Sequence, residues 1–280
     1  MTLRTLLLWL CCSVAVAPIA HADKLPRPDH VVIVIEENRS YAQIIGNPEA
    51  PYINALAQRG VLFTRSYGVT HPSQPNYLAL FSGSTHGVNS NACPLELSGP
   101  NLSTALYAQG LSFASYAESL PRAGDPVCVA GPYFRKHNPV ANWRELADAN
   151  LPFTAFPDDY TQLPTVALVI PDQRHDMHDG GIAAGDAWLK QNLDAYAEWA
   201  MQHNSLLIVT WDEDDYHGDN HVATLMLGPM LHPGKSAQRI DHYALLRTLQ
   251  EMYGLETINA SRDAKPVAGV WRKAGQGGRK

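Results

Sequence analysis

The sequence predicts an α/β fold, a mostly parallel central sheet with helices on both faces. Three observations predict it. The runs His30–Ile35, Thr165–Ile170 and Ser205–Thr210 are continuously apolar, as in strands buried on both sides. Helical stretches alternate with these runs, which is the order of a parallel sheet built from crossover connections. Polar clusters follow the three runs at once: Glu36-Glu37-Asn38, then Asp172 with Asp176 and His178, then Asp212-Glu213. In open parallel sheets ligands bind beyond the carboxyl ends of the strands, so the clusters are expected to converge there.

Taken in order, residues 1–22 have the form of an export signal. Arg4 precedes the apolar stretch Leu6–Ala17, and Ala20-His21-Ala22 is a small-x-small cleavage site. The stretch is too short for a comfortable membrane span. The expected mature chain, residues 23–280, is one domain, periplasmic or secreted, with no transmembrane segment. Cys11 and Cys12 leave with the signal, and Cys93 and Cys128 are expected to form a disulfide in an oxidising compartment. After the first strand, 51–59 reads as a helix stopped by Gly60, Val61–Tyr67 as a strand and Pro75–Leu80 as helical. Leu111–Tyr116 is a further strand. An amphipathic helix over 186–202 leads into the strand 205–210, Val222–Leu227 follows, and a last helix runs from near Asp241 to Gly254.

The 280 residues are 45% hydrophobic and 17% charged, enough for one large α/β domain. The net charge of −6 argues against nucleic acid as a general partner. Twenty prolines and twenty glycines are spread along the chain without forming a linker, and no internal repeat is visible.

The acidic run Trp211-Asp212-Glu213-Asp214-Asp215 at the end of a buried strand crowds like charges, which is unfavourable without cations, solvent or donors. Alone it reads as a hydrated turn. With the other two clusters and His221, it reads as part of a metal site. Ser73 sits where it can cap a helix that carries Pro75 in its first turn. A hydroxyl there faces unpaired N–H groups and the positive end of the helix dipole, an environment that lowers the cost of an alkoxide and attracts phosphate. Asn76, one turn on, has an amide able to bind a phosphoryl oxygen. Lys136-His137-Asn138-Pro139 suits either a phosphate contact or a polar turn. There is no Gly-x-Ser-x-Gly elbow and no Walker loop, and Tyr77 stands where a sulfatase would carry arginine.

These segments together resemble the phosphoesterase family. Glu36–Tyr41, His71–Gly87, Lys136–Pro139, Asp176–Asp179 and Trp211–Asp215 occur in the family's order, and the similarity runs from His30 to Gly254. That family holds bacterial acid phosphatases and phosphatidylcholine-type phospholipases C, within the alkaline-phosphatase-like superfamily. The resemblance implies a secreted hydrolase of phosphate monoesters, including phosphoinositides, that works through a phosphoserine. Phospholipase C or other phosphodiesterase activity is the nearer alternative, and a non-catalytic protein that binds phosphate or metal the more distant one. It makes Ser73 the nucleophile and Asn76 its phosphate-stabilising neighbour, with His137 among the catalytic residues and Lys136 and Asn138 as substrate contacts. Glu37, Asn38, Asp212 and Glu213 are the implied ligands of a divalent metal, with Glu213 where some members have aspartate. Asp176, His178 and His221 are implied at a second-metal region, for which Asp172 competes with Asp176. The implied partner is a phosphate-ester substrate, a phospholipid headgroup included.

Overall fold

The computed structural model describes residues 24–273, so the export signal expected over residues 1–22 lies outside the described residues. The strands are β1 (His30–Glu36), β2 (Val61–Tyr67), β3 (Phe113–Ala117), β4 (Val129–Ala130), β5 (Tyr133–Phe134), β6 (Asn150–Pro152), β7 (Val166–Ile170), β8 (Ser205–Trp211), β9 (His221–Leu227), β10 (Gly234–Ser236) and β11 (Ile240–Asp241). The helices are α1 (Tyr41–Ile44), α2 (Pro51–Arg59), α3 (Ser73–Ser82), α4 (Leu102–Ala108), α5 (Ile182–Gln202) and α6 (His242–Tyr253).

A nine-stranded sheet has the order β10-β2-β9-β8-β1-β7-β3-β6, with β11 also on β2. Only β9 runs against its neighbours in this sheet, pairing antiparallel with both β8 and β2. The central trio β8-β1-β7 is parallel and comes from the three apolar runs that the sequence marks. Alternation along β1 divides the core. Val31, Ile33 and Ile35 face a layer that includes α3, α4 and α6, whereas Val32 and Val34 face α1, α2 and α5. These five side chains are at most 1% exposed, and each fully buried aliphatic residue contributes about 1.5–3 kcal/mol of transfer free energy.

Helix ends follow the sequence signals with two informative differences. Asp241 caps α6 by accepting the Ala244 N–H at 2.9 Å, and Gly254 ends it at φ 65°, a left-handed turn that favours glycine. Gly60, which stops α2, is extended instead. A Cβ there would lie 2.1 Å from the Met226 carbonyl oxygen, so close approach to β9 requires the glycine. The second difference is at α3, where Pro72 is the N-cap and Ser73 the first helical residue, with no side-chain cap bond. All ten residues of α3 are buried, which removes the amphipathic signal that would have shown its length. Cys93 and Cys128 are joined by a disulfide with Cα atoms 5.9 Å apart. Among the described residues no helix is long and apolar enough to cross a membrane.

Candidate active site

The carboxyl ends of β8, β1 and β7 lie side by side, and backbone bonds lock the residues that follow them. The Asp212 N–H donates to the Glu36 carbonyl at 3.0 Å, and the Glu37 N–H donates to the Asp176 carbonyl at 2.7 Å. Glu37, Asp212 and Glu213 are thereby gathered, all buried, with one carboxylate oxygen of each within 4.8 Å of the others. Ser73 on the first turn of α3 reaches this group from the neighbouring layer. Its hydroxyl stands 3.0 Å from Glu37 Oε2 and 2.9 Å from Glu213 Oε1, in donor geometry to both. One hydroxyl proton serves one of these acceptors at a time.

A chain of ionisable groups backs Glu37. His137 Nε2 lies 2.8 Å from Glu37 Oε1, and His137 Nδ1 lies 3.0 Å from Asp176 Oδ2. Burial pulls the imidazole pKa down, but the charges and hydrogen bonds of Glu37 and Asp176 prevail and hold it at about 9. Burial likewise works to raise Glu37, yet His137, with Lys136 and His178 beyond it, brings that carboxyl down to about 2. The opposing pulls on Glu213, from Ser73, His137 and Lys136, are weaker. Burial first, then the Glu37 charge, lifts it to about 8. Asp212 is pushed well above the carboxylate range by burial, with Glu37 and Glu213 adding to the effect.

The donor set fits a hard divalent cation. Asp212 Oδ2 and Asn38 Oδ1 are buried without a hydrogen-bond partner, and an orphaned buried oxygen is costly unless something positive completes it. Three carboxylates and an amide oxygen are the ligand chemistry that magnesium-, calcium- or manganese-like ions take. Asn38 adopts the left-handed region at φ 53°, and its N–H donates to Asp212 Oδ1 at 3.2 Å.

Other residues singled out by sequence fall into several groups. His178 lies beside His137, ring centroids 5.8 Å apart, with Lys136 Nζ 3.3 Å from its Nε2. Asp176 joins the pocket through His137, while Asp172 turns away to Arg174 and Ser119. The Asn76 carboxamide is occupied by the loop before Ser73. It accepts from the N–H groups of Val69 and Thr70 and donates to the carbonyls of Thr70 and Pro72. Asn138 donates to Tyr133 Oη and Asn150 Oδ1 within the core. His221 is not brought into the acidic group. β9 is antiparallel and sets His221 opposite Tyr67, where its ring stacks between Tyr41 and Tyr67 and Nε2 lies 3.1 Å from the Thr64 carbonyl.

Two participants went unmarked in the sequence. His71 Nδ1 lies 2.7 Å from Glu213 Oε2 and its Nε2 3.3 Å from Asp214 Oδ1. The available signal was its place two residues before Ser73. Tyr77, noted in the sequence only as standing where a sulfatase would carry arginine, lies one helical turn after Ser73 and stacks on His137 at 5.4 Å. Its hydroxyl is buried near Glu37, and burial, then the charges of Glu37, Asp212 and Asp176, keep it a neutral phenol.

Comparisons with known proteins give the chain's family and fold relatives. The phosphoesterase family profile matches residues 46–256. A Mycobacterium tuberculosis protein named phosphatidylinositol-3-phosphatase is 48% identical over 254 residues, which is 89% of this chain and 85% of that protein. An Aspergillus fumigatus acid phosphatase is 28% identical over 227 residues, covering 72% of this chain and 50% of the fungal one. The chain thus spans about half the length of that fungal relative. A solved Vibrio parahaemolyticus protein in the alkaline phosphatase superfamily shares the fold with a TM-score of 0.61 at 14% identity, over 88% of this chain and 72% of its own.

Proposed function

Because the chain belongs to the phosphoesterase family, we propose that it is an exported, metal-dependent phosphomonoesterase of the acid phosphatase type, with Ser73 as nucleophile. The observation that carries this reading is the Ser73 hydroxyl, buried at the head of α3 and directed at two members of a three-carboxylate group. Phosphoinositide monoesters are the first substrates to examine, since the Mycobacterium tuberculosis relative is named for one.

Glu37, Asn38, Asp212 and Glu213 would hold the cation, which when bound supplies Lewis-acid stabilisation of charge on oxygen. Ser73 Oγ attacks phosphorus and its proton passes to one of the carboxylates it already faces. A serine–phosphorus bond forms as the bond to the leaving oxygen breaks, and water then hydrolyses the phosphoserine. Lys136 and His178, on the accessible side of His137, bind phosphoryl oxygens or protonate the leaving oxygen. His137, pinned between Glu37 and Asp176, holds the Glu37 carboxylate in place and ionised. The Asn76 amide fixes the loop at 69–72 and so positions Ser73.

The test is turnover of a simple phosphomonoester by the purified mature protein and by Ser73→Ala. Loss of at least about a thousandfold is expected, as for removal of an activated nucleophile. Near-normal turnover by the variant would refute the assignment.

A further inference from the structure

Tyr216 is 62% exposed, the most exposed large hydrophobic side chain among the described residues. Its backbone lies in the left-handed region at φ 65°, which is disfavoured for a bulky residue and persists only where surrounding bonds impose it. Those bonds are present. The loop that carries Tyr216 is wrapped around buried Asp214, whose carboxylate accepts the Tyr216 N–H and the Asn220 N–H, each at 2.9 Å. Asn220 in turn accepts the Asp214 N–H at 2.8 Å and donates to the Thr70 carbonyl at 2.9 Å, which ties this loop to the one that delivers Ser73. So held, the Tyr216 ring stacks on His71 with centroids 4.0 Å apart, and His71 itself contacts Glu213 and Asp214. After partial burial, the charges acting on the phenol are those of Glu213, Asp212 and Glu37, so the ring borders the acidic pocket.

An exposed ring adds little to folding, yet four side-chain bonds hold this one in a disfavoured conformation beside the reacting centre. One face rests on His71 and the other is open. Phosphorus bonded to Ser73 Oγ leaves its departing oxygen, and whatever that oxygen carries, on the side away from the serine. A flat aromatic face favours a ring over an open chain, through stacking or through C–H groups laid on the π surface. We infer that Tyr216, seated on His71, forms the wall of a leaving-group subsite that selects phosphate monoesters of cyclic alcohols. The inference rests on the phosphomonoesterase reading and adds the residue that selects the alcohol.

Aryl and cyclitol esters share this ring chemistry, and different substrates separate them. The metal-supplemented protein is assayed for kcat/KM on phenyl phosphate, an inositol monophosphate and glycerol phosphate, in the wild type, Tyr216→Ala and Tyr216→Phe. For Tyr216→Ala a fall of about five- to tenfold on the ring esters is expected, carried by KM, against a much smaller fall on glycerol phosphate. Tyr216→Phe should retain the ring preference. Tyr107→Ala, an exposed aromatic elsewhere at 46% exposure, should leave all three rates unchanged. A selective fall on phenyl phosphate alone assigns the subsite to aryl groups, and on the inositol ester alone to cyclitols. An equal fall on all three esters, or none on either ring ester, overturns the inference. A wild type that hydrolyses none of the three and no phosphoinositide monoester defeats the phosphomonoesterase reading itself, a result the variant ratios cannot mimic.

Discussion

Two groups of ligand-type residues lie beyond the ends of the parallel strands, and they differ in what surrounds them. Glu118, Asp172 and His175 form one; Glu37, Asp212 and Glu213 form the other, each gathered within 4.8 Å. In the first, protein donors satisfy the carboxylates. Asp172 accepts from Ser119 Oγ at 2.8 Å and from Arg174 Nη2 at 2.7 Å, and Glu118 accepts from Trp188 Nε1 at 2.9 Å and the Asp172 N–H at 2.9 Å. In the second, Asp212 Oδ2 and neighbouring Asn38 Oδ1 have no partner, and Glu213 and Asp212 are driven toward the protonated form. Acid content therefore does not distinguish a site from a structural knot. The unbalanced remainder does, because folding keeps an unsatisfied buried carboxylate at a cost in stability, and a bound cation removes that cost.

The contrast can be broken by exchanging matched substitutions. Asp212→Asn should lower phosphomonoester turnover by about a hundredfold or more while leaving thermal stability equal or raised in chelator, since one of three crowded charges is gone. Asp172→Asn should do the reverse, with turnover changed by less than about threefold and stability lowered by about 1–3 kcal/mol because Arg174 and Ser119 lose a partner. Equal effects of the two substitutions would erase the distinction.

Metal removal sharpens it. Chelation should abolish turnover, and a divalent cation restored at a hundred times its Kd should stabilise the wild type by about 2.7 kcal/mol against unfolding. Asp212→Asn should forfeit most of that gain and Asp172→Asn should keep it, read as melting shifts in the same buffer.

A smaller effect follows from pH in chelator. Glu213 keeps its proton in the fold up to about 8, so between its ordinary value and that point the native state binds more protons and stability falls as pH rises. His137, raised to about 9, gives stability that is complete below its ordinary value and is lost as pH rises through 9. Glu37, lowered to about 2, gives stability present above its ordinary value and lost as pH falls toward 2. The metal-free protein should therefore melt highest near about pH 5 and less well on either side. A maximum above pH 8 would contradict these assignments. The smallest effect expected is at His221. His221→Ala should change turnover by less than about threefold and cost roughly 1 kcal/mol through the lost stack on Tyr41 and Tyr67.

Much of this arrangement was legible in the sequence. Strands buried on both faces write themselves as unbroken apolar runs, so β1, β7 and β8 and the polar residues after them stood out. Asp241 and Gly254 marked α6 by cap chemistry. The pieces that were missed have short or long-range causes. β4, β5, β6, β10 and β11 are two or three residues long, too brief for a period to show. Asn76 could be placed on α3, but its hydrogen bonds to the loop at 69–72 depend on how the chain enters the helix. The position of His221 depends on β9 running antiparallel, which no local pattern records. His71 shows its role only when Glu213, far along the chain, arrives beside it.

The most direct measurement is anomalous diffraction from crystals of the mature protein soaked in manganese. A peak within bonding distance of Glu37, Asp212 and Glu213, next to Ser73, with none at Glu118, Asp172 and His175, is the expected result. Manganese at the second group alone, or at neither, would contradict the assignment of the unsatisfied carboxylates as the metal site.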